Sequence, residues 1–181
     1  MRWVAIAALL ASAAVGGCST KQEPVKASDI RGAVVLEQTT WDLGWSYSMR
    51  GMYIDGDGNV WSFEQHGNPW YQEKLKQGEM TERDMLAKHK GARKIGTVDP
   101  ALLLDMAQLI PAAEKGKITR AAGSGEGSGT LQVAYRLDQS TKVYHEIILA
   151  GSGERTATNS STAAKSLIDY LENVQRLVEY K

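Results

Sequence analysis

The sequence predicts an α+β domain: one mostly antiparallel sheet, in the order β-β-β-α-α-β-β-α, with helices packed on one face. Three observations predict it. Two pairs of segments with strand-like composition flank clusters of turn-forming residues, the signature of β-hairpins. Other segments repeat apolar residues at helical spacing behind good capping residues. Residues 29–181 suit one domain, and no internal repeat at a fixed period divides them. Strands joined mostly by hairpins pair antiparallel, and their apolar face needs a helical layer to cover it.

The elements follow in chain order. Residues 30–40, IRGAVVLEQTT, are β-branched and apolar and read as a first strand. In WSYSMRGMYI, residues 45–54, Trp45, Tyr47, Met49 and Tyr53 fall on one side at period two. The turn DGDGN, Asp55 to Asn59, joins this run to VWSFEQH and makes a hairpin. Thr81-Glu82-Arg83-Asp84 has the form of a capping box and starts a short helix that ends near Gly91. Asp99-Pro100 is an N-cap followed by proline at the first helical position. Leu102, Leu103, Met106, Leu109 and Ile110 then recur at helical spacing, and Pro111 kinks or ends the helix near Ile110. Residues 121–130, AAGSGEGSGT, form a flexible loop. TLQVAYRL and KVYHEIILA, joined by Asp138 to Thr141, make the second hairpin. Ser160 and Ser161 cap a last helix whose apolar stripe is Ala164, Leu167, Ile168, Leu171, Val174 and Val178.

The amino-terminal stretch MRWVAIAALLASAAVGGCS has the layout of a secretory signal. Arg2 supplies a positive charge, Trp3 to Val15 is mainly Ala, Leu, Ile and Val without a charge, and Gly16 and Gly17 are small. The apolar run is shorter than the about 20 residues that span a bilayer. The tetrad Val15-Gly16-Gly17-Cys18 contains the only cysteine of the chain and resembles the lipobox of bacterial lipoproteins. The resemblance implies a diacylglyceryl group on the Cys18 sulfur, removal of the signal before Cys18, and acylation of the new amino terminus. By the same resemblance, Ser19 in place of aspartate points to the outer membrane, facing the periplasm. The expected organisation is a lipoprotein signal peptide over 1–17, lipidated Cys18 with a flexible tether over 18–28, and an α+β periplasmic domain over 29–181. Fully extended, the polar linker Ser19 to Ser28 reaches at most about 35 Å.

Charge narrows the partners. Of 21 basic and 21 acidic residues, only Arg2 leaves with the signal, so 20 basic residues face 21 acidic ones. That balance offers no basic footprint for nucleic acid and no polybasic segment for anionic lipid. Attachment to the membrane is expected through the lipid on Cys18 alone.

Motifs that suggest chemistry lack their partners. Asp55, Asp57 and Asn59 match the first positions of a calcium loop, but Val60 and His66 stand where its glycine and glutamate belong, so a hairpin turn is the better reading. The glycine-rich GSGEGSG is followed by Thr130 and a strand, without the lysine and helix of a phosphate loop. His66, His89 and His145 have no metal-ligand spacing, and no GxSxG elbow appears. His145 alternates with Val143 and Ile147 and reads as a packed histidine. No catalytic residue, metal or cofactor is expected.

Aromatics are the unusual feature. Trp41, Trp45, Tyr47, Tyr53, Trp61, Phe63, Trp70 and Tyr71 crowd one part of the chain. Trp61 and Phe63 share one strand face, as do Trp45, Tyr47 and Tyr53, and these five read as core. Trp41, in WDLGW, and Trp70-Tyr71, in GNPWYQ, fall in expected loops. They are the candidate binding residues, because exposed Trp and Tyr give large rigid contacts at small entropic cost.

YIDGDGNVWSF and LAGSGERTATNSSTAAKSLIDYL look like small bacterial lipoproteins of uncharacterised function, a resemblance that implies no activity. The expected role is a membrane-anchored, non-enzymatic envelope lipoprotein that binds a protein partner or cell-wall material such as peptidoglycan. One alternative is a hydrolase of envelope material, with Asp55, Asp57, Glu64 and His66 converging near the first hairpin. Another is a lipid or small-ligand carrier whose sheet curls around an apolar cavity.

Overall fold

The computed structural model describes residues 23–42, 47–67, 79–122, 127–153 and 156–179. Within them the chain forms β1 (Val34–Asp42), β2 (Ser48–Asp55), β3 (Asn59–His66), β4 (Glu79–Thr81), β5 (Arg93–Thr97), β6 (Ile118–Arg120), β7 (Ser128–Asp138), β8 (Val143–Gly151) and β9 (Ala157–Asn159). The helices are α1 (Ala27–Ile30), α2 (Glu82–Lys88), α3 (Pro100–Ala107), α4 (Ile110–Glu114) and α5 (Thr162–Glu179). The strands make one nine-stranded sheet in the order β5-β3-β2-β1-β7-β8-β9-β6, with β4 also paired to β8. Every pairing is antiparallel. The fold is α+β, as the hairpin and helix signals require.

Local chemistry accounts for the element ends. Asp55 organises the first turn: its carboxylate accepts from the Asp57 and Asn59 amides at 3.0 and 2.9 Å, and from the Asn59 side chain. Gly58 sits there at φ +81°, a conformation that costs glycine nothing. Asp138 does the same for the β7–β8 turn through Ser140 and Thr141. Thr81 and Asp84 close a reciprocal capping box on α2. Asp99 accepts from the Ala101 amide ahead of α3. Pro111 lies in the first turn of α4, so the expected single helix is two short ones. The Ser161 hydroxyl accepts from the Ala164 amide and caps α5.

Four strands lie outside the predicted order. β4, β6 and β9 have three residues each, too few to express a period of two. β5, RKIGT, begins with two cations, as edge strands often do, and pairs with β3 from Asn59↔Thr97 to Ser62↔Arg93.

α3, α4 and α5 cover one face of the sheet. Leu36, Met52, Ile54, Ala134, Ile147 and Leu149 meet Leu103, Ala107, Ile110, Ala113, Leu167, Leu171 and Val174 there. Each fully buried leucine contributes roughly 1.5–3 kcal/mol. The short α2 lies over the other face, where its Met85 and the Met80 of edge strand β4 pack with Val34, Leu131, Val133, Tyr135 and Tyr144.

Trp41 belongs to this second core, which corrects its sequence assignment. It is the last residue but one of β1 and is 5% exposed. Its ring lies against Gly129, where an added Cβ would come within 2.6 Å of the Trp41 Cζ2. WDLGW contains turn-forming residues, but the β1–β7 ladder extends through Trp41↔Gly129 and keeps the indole inside. Trp41 is therefore a packing residue and not part of an exposed binding surface. No helix among the described residues is long and apolar enough to cross a membrane.

Candidate functional site

Two places hold more polar chemistry than the fold needs: a buried charge cluster on the α2 side and an open groove on the α5 side. The cluster centres on Glu37, in the middle of β1. Period two turns Glu37 to the same face as Thr39 and Trp41, under α2. Glu37 is 1% exposed, Lys88 0% and His89 8%. Lys88 Nζ lies 2.6 Å from Glu37 Oε1 and donates to the Tyr135 hydroxyl at 2.8 Å. His89 Nε2 lies 2.9 Å from Glu37 Oε2. Thr39 donates its hydroxyl to Glu37, and Tyr135 does so at 3.4 Å. The His89 ring is held between Tyr53 and Phe63, at centroid distances of 4.1 and 4.8 Å.

Burial on its own pushes the Glu37 carboxyl up, but Lys88 and the hydrogen bond from His89 outweigh it and hold Glu37 at about 2. Burial pushes His89 below its usual value, against the opposing pull of Glu37. The His89–Glu37 contact is therefore a hydrogen bond at neutral pH and not an ion pair. A carboxylate only accepts, so the neutral imidazole carries its proton on Nε2. The cluster ties the end of α2 to β1 and β7. Its groups are sealed and mutually satisfied, which suits structure better than contact with a substrate.

The residues proposed for hydrolysis do not converge. Asp55 lies at the turn, with its oxygens taken by the turn amides, the Asn59 side chain and the Trp61 indole N–H at 2.7 Å. These bonds are those of a hairpin turn closed on an aspartate. Asp57 sits beside it and faces Arg31 at 3.9 Å. Glu64 and His66 pair at 3.5 Å near the other end of β3. Five residues of strand separate Asn59 from Glu64, about 17 Å. His145 is half-buried, with Nδ1 3.6 Å from Glu79. No group of metal-ligating side chains among the described residues is placed to hold a metal ion.

The groove opens beside the last turns of α5, on the helix-covered face, with a volume of about 860 Å³. Strand register builds its floor: Thr40, Arg50 and Glu64 stand side by side on β1, β2 and β3, and Arg93 of β5 stands beside Ser62. Arg50, Glu64, His66 and Arg93 are all exposed. Among the described residues neither Arg50 nor Arg93 forms an ion pair. One wall is held by amides: Gln132 donates to Gln38 at 3.0 Å, Gln38 to Gln175 at 2.6 Å, and Gln175 to Glu179 at 2.7 Å. This row lashes the end of α5 to the sheet by hydrogen bonds where apolar packing runs out. The groove is lined mainly by polar side chains, unlike the apolar cavity expected of a lipid carrier.

Sequence reasoning passed over Arg50 and Arg93, although one signal pointed to them. In SMRGMYID, Arg50 has the same parity as the inward Met52 and Ile54, which marks the place where the helical cover ends. Cys18, Trp70 and Tyr71 lie outside the described residues. Of the expected binding residues, only Trp41 is described, and it is in the core. Compared with known proteins, the chain matches no protein family, no curated sequence and no solved structure.

Proposed function

We propose that the protein is a membrane-anchored envelope lipoprotein that binds cell-wall material without transforming it. The anchor is the lipid on Cys18, supported by the lipobox-like Val15-Gly16-Gly17-Cys18. The single observation that carries the binding reading is the polar groove with its two guanidinium groups, Arg50 and Arg93, free of carboxylate partners among the described residues. Guanidinium groups recognise carboxylates in a bidentate fork. Gln38, Thr40, Ser62 and Gln175 add donors and acceptors for hydroxyl and amide groups. A peptidoglycan strand offers those groups together: sugar hydroxyls, peptide amides and stem-peptide carboxylates. Protein interfaces concentrate apolar and aromatic contact at their centres, which this groove offers less of. The same polar lining argues against a lipid carrier.

The test is co-sedimentation of the protein with purified sacculi. The unaltered protein should sediment, and Arg50→Ala with Arg93→Ala should lose at least tenfold in affinity while keeping its melting temperature. Failure of the unaltered protein to sediment, or equal binding by the double variant, refutes this reading.

A further inference from the structure

The linker expected over residues 19–28 is not free along its whole length. The Gln108 side chain, just past α3, pairs with Val25 as a neighbouring strand would: its Oε1 accepts from the Val25 amide at 2.9 Å and its Nε2 donates to the Val25 carbonyl at 2.6 Å. The Val25 side chain packs on the main core. α1 follows at once, and its Ile30 is buried in the same core. Gln139, in the β7–β8 turn, donates to the Asp29 carbonyl at 2.8 Å. The Gly56 amide, in the β2–β3 turn, donates to the Ala33 carbonyl at 2.7 Å. Residues 25–33 thus run as a strap across one end of the sheet, touching both hairpin turns.

The groove lies toward the other end. β1 runs from Val34, beside the strap, to Asp42, and the register places Thr40, Arg50 and Glu64 in one row near its far end. Six residues of strand separate Val34 from Thr40, about 20 Å. From Cys18 to Val25 the chain reaches at most about 25 Å, little more than the span of β1 between the strap and the groove.

We infer that this strap docks the domain on its membrane with both hairpin turns facing the bilayer and the Arg50–Arg93 groove facing away from it. The inference rests on lipidation of Cys18. It adds that the groove serves a polar ligand beyond the bilayer surface and not a headgroup of the anchoring membrane. A freely swivelling domain would present the groove in all directions. The strap narrows that freedom before any ligand arrives, which lowers the orientational cost of binding a polymer held parallel to the membrane.

The experiment uses the full lipidated protein in phosphatidylethanolamine–phosphatidylglycerol vesicles that carry an acceptor-labelled lipid. A donor dye is placed at Ser140→Cys, in the β7–β8 turn, or at His66→Cys, beside the groove. Energy transfer should be at least twofold greater from Ser140→Cys. Gln108→Ala should free the Val25 end of the strap and narrow the difference between the two efficiencies, with the fold checked by circular dichroism. Equal transfer from both sites in the unaltered background overturns the orientation, and an unchanged difference in Gln108→Ala overturns the strap as its cause. Protein that does not float with the vesicles overturns the Cys18 anchor instead, and the inference with it.

Discussion

Replacing Lys88 by methionine should destabilise the protein by about 3–5 kcal/mol at neutral pH, the cost of leaving one member of a buried ion pair behind. The structure places this site at the severe end. Lys88 is fully buried, its nitrogen is 2.6 Å from Glu37, and Glu37 is 1% exposed. In the unaltered protein Glu37 is held at about 2 instead of 4.5. A carboxyl whose folded value is depressed contributes stability that is present above its unfolded value and is lost as pH falls through the folded one. Here the window runs from 4.5 down to about 2, and the contribution above it is on the order of 3 kcal/mol. Without Lys88 the sign reverses. Burial remains while the main opposing charge is gone, so the carboxyl rises above 4.5 and its cost grows as pH rises through the new value. Lys88→Met should therefore be more stable at pH 5 than at pH 7, and Glu37→Gln added to it should restore much of the loss at pH 7. Urea denaturation at both pH values measures this. A loss below about 1 kcal/mol at pH 7, or a variant no more stable at pH 5 than at pH 7, refutes the buried-pair account.

Further expectations concern other sites. The Tyr170 hydroxyl is buried without a hydrogen-bond partner among the described residues, so Tyr170→Phe should stabilise the protein by about 1 kcal/mol; a clear loss in thermal unfolding would mean that the hydroxyl is satisfied. Trp41→Ala should cost about 3–5 kcal/mol by chemical denaturation and leave sacculus binding by the remaining folded protein unchanged; a stable variant with weakened binding would return Trp41 to the surface. Asp55→Ala should cost about 2–3 kcal/mol by opening the first turn and orphaning the Trp61 indole, and added calcium should not shift the melting temperature of the unaltered protein. Burial holds His89 below 6.5, so the unfolded chain takes up that proton first and stability falls as pH drops below about 6.5; His89→Gln should flatten that part of the profile, and an unchanged slope would count against a neutral buried imidazole.

Much of this fold could be read from residue order because its signals are local. The two hairpins announce themselves through turn residues that hydrogen-bond within four positions of Asp55 and three of Asp138. The capping box at Thr81 and the cap at Asp99 are equally local. Pairings across the chain were hidden. Nothing near RKIGT reveals that it joins β3, since its charges belong to an edge strand that faces water. Lys88 and His89 stand at a helix end, where a cation is favoured by the dipole whatever its partner, so the local pattern carries no sign of burial. Their true partner, Glu37, lies 52 positions before His89. One signal was available: Glu37 stands at an inward position of an apolar strand, where a lone charge demands a partner. Trp41 was misplaced because glycine and aspartate beside it outweighed the strand pattern. The Arg50–Arg93 groove could not be found without the strand order that sets β5 beside β3.

The position of Glu37 bears on how the chain finds a single register. β1 and β7 meet at the seam between a first half-sheet of β1, β2, β3 and β5 and a second that holds β8. Glu37 comes from one side of that seam, Tyr135 from the other, and Lys88 straddles both. A slip of one residue would turn every side chain of β1 over and push Glu37 among the leucines of the α5 face. Misaligned sheets are thus penalised by a stranded charge, even where they bury as much apolar surface as the correct one. Replacing Glu37, Lys88 and His89 together by apolar residues of similar size would remove that penalty. Such a variant should keep its thermal stability and show doubled amide resonances along β1, the mark of two coexisting alignments.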